Sequence, residues 1–307
     1  MDLEQSEDGA AGFYRGLEII AGYMESVSGL VEGVIPRQAT THRDQSLHGL
    51  WYRAWGWIQS LKLLNSTKHV QAHLAGDRAL LEIATDMILL HRDPTNKAGW
   101  MYVQWGQSEK WKAAEQAVKF YTSQGIPVPD IHEEIEKFYK NHAASVAHNR
   151  HSLWPDKKDP SKGIHPSRWT GRSDLFRDVD EADRLYDAEI KADLSLTKYY
   201  RTEYRRMNWL IHSGAPGWWN IEAPGISIMS GLSLRVSATL AMLCTKVILL
   251  DAGYNHAIDG LRRQWEKVND DRNWVFLTPI SRGSDPHGFK GNDDEFGESP
   301  RHSLFRH

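Results

Sequence analysis

Apolar residues recur at helical spacing along nearly the whole chain. Phe13, Leu17, Ile20, Met24, Val27 and Val31 follow steps of three and four, which predicts a first amphipathic helix broken near Gly33 and Pro36. Leu47, Leu50, Trp51, Ala54, Trp57, Ile58, Leu61 and Leu64 predict a second. Ser66 is placed to cap a third, which runs towards Leu90 and is stopped by Asp93-Pro94. Residues 97–124 and 130–148 read as a fourth and a fifth, separated by Gly125-Ile126-Pro127-Val128-Pro129. A helix restarts at Asp174 and runs towards Ala188, and residues 194–212 continue or follow it. The apolar run 226–250 predicts the most buried helix and 256–269 the last, while Val275-Phe276-Leu277 suits a short strand or an extended clasp. There is no internal repeat, sustained heptad or period-two alternation, so the expected class is all-α, a bundle of about eight or nine helices.

Two stretches break the pattern. From His151 to Ser173 the chain carries Pro155, Pro160, Gly163, Pro166 and Gly171 among lysines and arginines, the composition of a long basic loop that could act as a hinge or an active-site flap. Residues 282–307 hold Gly, Asp, Pro and Ser with few apolar anchors, which predicts a flexible tail on a single helical domain spanning 1–281.

Composition adds limits. Hydrophobic content of 40% and charged content of 25% are those of a globular protein with a sizeable core. A net charge of −3 gives no global attraction to nucleic acid, so any such binding needs a local basic patch. The one cysteine, Cys244, excludes an intramolecular disulfide framework and a Cys-rich zinc site, and it suits a reducing cytoplasm. Asp2, Glu4, Glu7 and Asp8 stand where a secretory signal needs positive charge. The run 226–250 is long enough to span a bilayer but contains Arg235 and Lys246, so a buried core helix and no membrane partner are expected. The 13 Trp, among them Trp51, Trp55 and Trp57, Trp100, Trp105 and Trp111, and the pair Trp218-Trp219, lack alternating basic residues and read as packing anchors rather than base-stacking platforms.

The segment richest in candidate chemistry is 199–214, where Tyr200, Arg201, Tyr204, Arg205, Arg206 and Asn208 lead to His212, Ser213 and the terminator Gly214. On a helix, Arg206 and His212 are staggered by roughly 120°, whereas Arg205 lies almost on the histidine's face. Cleaving RNA without a metal requires a group that titrates near neutrality and a fixed cation for the crowded phosphorane, for which one His and one Arg are the minimum. The competing reading is a histidine that caps the negative end of a helix.

An Arg-x5-His pattern at the end of a helix in an all-helical chain resembles the motif of the HEPN superfamily. That superfamily often has a polar residue just after the arginine, where Met207 stands here. A wider resemblance, over about residues 40–255, rests on Arg78-Ala79-Leu80-Leu81-Glu82, on Arg168-Trp169-Thr170-Gly171-Arg172-Ser173, and on Tyr200, Tyr204 and His212-Ser213. It is similar to a bacterial domain family without an assigned function, and it implies a helical bundle. The HEPN resemblance implies a metal-independent, cofactor-free ribonuclease or RNA-binding protein of bacterial defence or toxin-antitoxin systems. It also implies a cytoplasmic homodimer whose two motif helices meet at the site, with an antitoxin or other protein as a further partner. Arg206, His212 and Arg205 would then be catalytic, supported by Asn208, Ser213, Arg78 and Glu82, with Arg201, Arg168 and Arg172 binding substrate.

Other constellations point elsewhere. Arg78, Glu82 and Asp86 stand one turn apart and could present a carboxylate to His212, or form a salt bridge that fixes helix register. Lys157, Lys158, Lys162, Arg168 and Arg172 could meet phosphates, or be balanced by Asp156, Asp159 and Asp174 on a solvated loop. His142, His148, His151 and His165 lack the spacing of helical metal ligands, so no metal is expected. Two alternatives to a nuclease remain: a non-catalytic helical sensor, scaffold or partner-binding subunit, and a small-molecule enzyme using Glu82, Asp86 and His212.

Overall fold

The apolar stripes close on one another as a bundle. The computed structural model describes residues 3–34, 41–64, 66–93, 95–159, 162–185, 195–204 and 223–270. Among these there are ten α-helices and no strand: α1 (Leu3–Val34), α2 (His42–Leu63), α3 (Val70–His91), α4 (Lys97–Ser123), α5 (Asp130–Asn141), α6 (Ala143–Leu153), α7 (Leu175–Leu185), α8 (Leu196–Tyr199), α9 (Ala223–Asp251) and α10 (Asn255–Asp270). A π-helical turn, Tyr200–Tyr204, continues α8. The expected strand or clasp at 275–277, the tail 282–307 and the Trp218-Trp219 pair lie outside the described residues.

The expected run 226–250 is the centre of the molecule. Helix α9 packs along α3, with α1 and α2 beside the pair and α10 against α1 and α9. Leu234, Ala238, Leu240, Ala241, Cys244, Val247 and Leu249 are wholly buried. Residues Met229–Asp251 are apolar and long enough to cross a membrane, yet 72% of that window is covered by the bundle. Burial is therefore supplied by protein on nearly every side, as an all-round apolar helix requires. The Cys244 thiol is inside, and burial pushes it well above its ordinary range.

Helix starts and stops are set locally. Thr41 opens α2 with a capping box: its hydroxyl accepts the Asp44 amide at 3.2 Å while the Asp44 carboxylate accepts the Thr41 amide at 3.2 Å. Ser66 acts where expected, but on a 3₁₀ turn at Thr67–His69 that precedes α3. The single helix expected over 130–148 is two, because the chain turns at His142, which leaves α helical geometry (φ −108°). Helices α4, α5 and α6 form an outlying group, in which Trp111 stacks on Tyr139 and Arg150 lies over the Trp111 ring at 5.2 Å. Trp51, Trp154 and Trp169 are buried and Trp55, Trp57 and Trp105 pack against the core, so these indoles serve as anchors.

The basic loop is tied down. The Trp154 indole donates to the Trp169 carbonyl at 3.0 Å, Ile164 N donates to Trp154 O at 2.8 Å, and Asp156 N to Lys162 O at 2.8 Å. Gly171 adopts φ +77°, a conformation that favours glycine, and a Cβ there would come within 3.1 Å of Trp154 Cδ1. The ties place residues 168–173 against α3 and α7.

Candidate functional site between helix α3 and the arginine loop

Helix α3 carries chemistry on two faces. Its apolar stripe Val70, Leu74, Leu81, Ala84 and Ile88 is interrupted at Asp77, and the flank carries Arg78, Glu82 and Asp86 at steps of four. The apolar face of α7, Leu175, Val179 and Ala182, is likewise interrupted at Asp178. A carboxylate on a buried stripe must find hydrogen-bond donors there.

The loop supplies them. Arg168 donates through Nε to Asp178 Oδ2 at 2.8 Å and through a terminal nitrogen to Asp86 Oδ1 at 2.5 Å. The Trp169 indole donates to the same Asp86 oxygen at 2.8 Å. Thr170 and Arg172 both donate to Asp178 Oδ1, at 2.7 and 2.9 Å. The side chains of Arg168, Asp86 and Asp178 are 12%, 9% and 0% exposed, so this is a buried ion cluster. Burial raises Asp86 to about 6 despite the opposing Arg168 charge and the Trp169 hydrogen bond. Burial also works against the charge of Arg168, but Asp86 and Asp178 outweigh it and raise its pKa.

Arg168 and Arg172, expected to bind substrate, thus have carboxylate partners within the chain. The expectation of a solvated loop balanced by its own aspartates is met only in part: Lys162 pairs with Asp159 at 2.8 Å, while Arg168 is buried on Asp86 and Asp178. The reason is tertiary, because α3 and α7 each bring a carboxylate that the loop's own sequence does not reveal.

One turn up α3, Arg78 Nε lies 3.3 Å from Glu82 Oε1, both side chains 35% exposed. Tyr204, the last residue of the π turn, donates to the same Glu82 oxygen at 3.2 Å, and Arg78 stands over its ring at 5.5 Å. Burial, then the Glu82 charge, pushes the Tyr204 hydroxyl up to about 12, so it acts as a donor. Tyr204 stacks on Tyr200 at 4.6 Å, Tyr200 meets Phe176 of α7 at 5.4 Å, and the exposed Arg201 lies over Phe176 at 5.0 Å. On the inner face, the Ser237 hydroxyl donates to the wholly buried Asp77, and Ser233 and Tyr199 approach the same carboxyl. Burial raises Asp77 well above the carboxylate range. Both ends of the Tyr199–Tyr204 segment are therefore anchored on α3.

Arg205, Arg206, Asn208, His212 and Ser213 lie outside the described residues, and they follow Tyr204 directly in the chain. Arg78 and Glu82 pair as one of the two sequence readings had it, and Asp86 is occupied by Arg168 and Trp169. Among the described residues no group of three or more His, Cys, Asp or Glu is arranged to hold a metal ion.

Asp77 and Asp178 belong to no motif, and their positions on apolar stripes are the signal by which the sequence marks them. Arg43, His91 and Asp251 carry no such signal. These meet beside a cleft of about 470 Å³ lined by Thr41, Arg43, Asp44, His91, Arg92, Asp93 and Asn96. Arg43 donates to the Leu90 and His91 carbonyls at 2.9 and 3.0 Å, to Asp44 at 3.3 Å and to both oxygens of Asp251. His91 Nδ1 lies 2.8 Å from Asp251. Those contacts use the guanidinium's donors on the end of α3 and on the last residue of α9, which makes it a joint between helices.

The raised Asp86 gives a pH signature. Its folded pKa of about 6 lies above the ordinary 3.8, so the folded state holds this proton more firmly than the unfolded state does. Stability from this group is full below about pH 4 and falls as pH rises through 6. In urea unfolding from pH 4 to 7, wild type should lose stability relative to Asp86→Asn as pH rises. The opposite slope would show that Arg168 holds Asp86 ionised throughout.

Compared with known proteins, the chain matches no family model, no curated protein and no solved structure.

Proposed function

We propose that this chain is a HEPN-like, metal-independent ribonuclease. In this reading His212 moves protons between the 2′-hydroxyl and the leaving oxygen, and Arg206 or Arg205 holds the phosphate. Asn208, Ser213, Arg78 and Glu82 support them. The protein would act in the cytoplasm as a homodimer in bacterial defence or a toxin-antitoxin pair, with two copies of the motif around one phosphate.

The observation that carries the reading is the anchor at Tyr204. The residue directly before Arg205 donates to Glu82 and lies against Arg78, so Tyr204, one position ahead of the arginine pair in sequence, sits on a polar, part-exposed face of α3. The π turn that ends at this point supports it further, since such turns often sit at functional sites. One observation favours a second reading, a non-catalytic scaffold or sensor: Arg168 and Arg172 are engaged by Asp86 and Asp178, as in a cluster that fixes architecture.

Purified full-length protein should cut RNA in the presence of EDTA and leave cyclic phosphate ends. His212→Ala and Arg206→Ala should each slow cleavage at least about 100-fold without changing the melting temperature. Arg205→Ala reports which arginine reaches the phosphate. No cleavage of any RNA by the wild type leaves the scaffold reading, and undiminished cleavage by both variants removes Arg206 and His212 from the chemistry.

A further inference from the structure

The described surface next to the Tyr204 anchor is a continuous row of planar groups. Arg78 lies over Tyr204, Tyr204 stacks on Tyr200 with rings 18° apart, Tyr200 meets Phe176, and Arg201 lies over Phe176. Three different segments contribute: α3, α7 and the π turn. The row runs from the nearly buried Tyr204 to the exposed Arg201, so its inner end is fixed by the core and its outer end meets solvent.

We infer that the outer end of this row binds unpaired RNA, an assignment of substrate class that rests on the ribonuclease reading. Two features select that ligand. An unpaired base has a π-face that continues a stack on an arginine plane or an aromatic ring, whereas the bases of a duplex are stacked on one another and out of reach. The phosphates on either side of such a base need cations, and Lys198, one turn before Arg201, is exposed with it. Arg177 follows Phe176 on α7 and is 68% exposed, although it stands 3.8 Å from Asp174. Arg172, on the loop that docks against α7, keeps 34% of its side chain exposed. Arg177 and Arg172 are paired with carboxylates, so among the described residues the exposed cations that flank the stacked rings are Lys198 and Arg201.

The geometry assigns separate roles. Arg201, backed by Phe176, stacks the base, Lys198 meets phosphate, and Tyr200 and Tyr204 transmit the position of the row to α3 through Glu82. The strand would pass directly along the segment that leads to Arg205.

The test is fluorescence anisotropy with full-length His212→Ala protein, so that cleavage does not consume the probe. The probes are 12-nucleotide fluorescein-labelled oligo(A) and oligo(U) RNA and an RNA duplex of the same length. Both single strands should bind at least about tenfold more tightly than the duplex. Arg201→Ala and Phe176→Leu should each weaken single-strand binding by roughly tenfold or more while circular dichroism melting is unchanged. Arg201→Lys should lose most of that affinity yet keep the salt dependence, because it preserves the charge and removes the plane. Equal binding of duplex and single strand, or affinity insensitive to Arg201 and Phe176, overturns the inference. Preferential binding of an acidic peptide such as oligo-glutamate overturns it too and marks a protein-docking edge. Single-strand binding as described, with wild type that cuts no RNA, removes the nuclease and leaves the platform. Cleavage by wild type with binding indifferent to both substitutions does the reverse.

Discussion

Replacing Arg168 by Met should destabilise the fold by about 3 to 5 kcal/mol, because removing one partner of a buried ion cluster leaves charge without compensation. Two carboxylates, Asp86 and Asp178, share this guanidinium at 2.5 and 2.8 Å, and they belong to different helices. Without it, Asp86 would keep only the Trp169 indole and would have to protonate or draw in water, whereas Asp178 would retain Thr170 and Arg172. The tie between the loop and the α3–α7 pair would weaken together with that charge balance, since Trp169 and Thr170 dock beside it. Urea unfolding at pH 7 measures the loss. A second variant separates charge from packing: adding Asp86→Leu to Arg168→Met should recover part of the stability, since apolar replacement of a whole buried pair is often neutral. A loss below about 1 kcal/mol in the single variant would mean that water reaches the cluster and that the loop docks by its tryptophans alone.

Gly99→Ala should cost about 3 kcal/mol or more, near the upper end for overpacking, because the atoms in the way are main chain. A Cβ at this position would lie 2.3 Å from Arg43 N and 2.5 Å from Arg43 Cα. Those atoms belong to the first turn of α2, which is held by the Thr41 capping box and by the Asn96 side chain accepting the Arg43 amide at 2.9 Å. To make room, α4 would have to move off α2 and pull Asn96 out of its left-handed conformation (φ 56°). The same change at Gly22, an exposed position of α1 with nothing within 4 Å, should stabilise the fold by up to about 1 kcal/mol through helix propensity alone. Thermal unfolding of the two variants side by side checks both signs. A Gly99 variant that melts with the wild type would show that the two helices are free to separate.

The all-α class, the order of the helices and the central place of residues 226–250 were legible in the sequence, because an apolar stripe of period 3.6 is a local property that burial then obeys. Cap and stop signals at Ser66 and Asp93-Pro94 are local in the same sense. Local periodicity does not show the break at His142, where one run is divided in two, nor the docking of the basic loop, whose lysine Lys162 pairs within the loop while Arg168 is buried. What decides the loop is that Arg168 finds Asp86, 82 residues earlier, and Asp178 on the following helix, and no spacing rule links these three.

The same holds for the candidate site. The sequence singled out Arg78, Glu82, Arg201 and the Arg205–His212 segment by residue type and by resemblance. Only the tertiary structure joined Arg78 to Tyr204, Tyr204 to Glu82 and Arg201 to Phe176, across separations that helical periodicity does not encode. Asp77 and Asp178 lie between these cases: their places on apolar stripes could be read from the chain, but the Ser237 hydroxyl and the arginine pair that satisfy them could not. Periodicity shows which face of a helix turns inward, whereas the partner that meets a polar group there is fixed by how the helices pack.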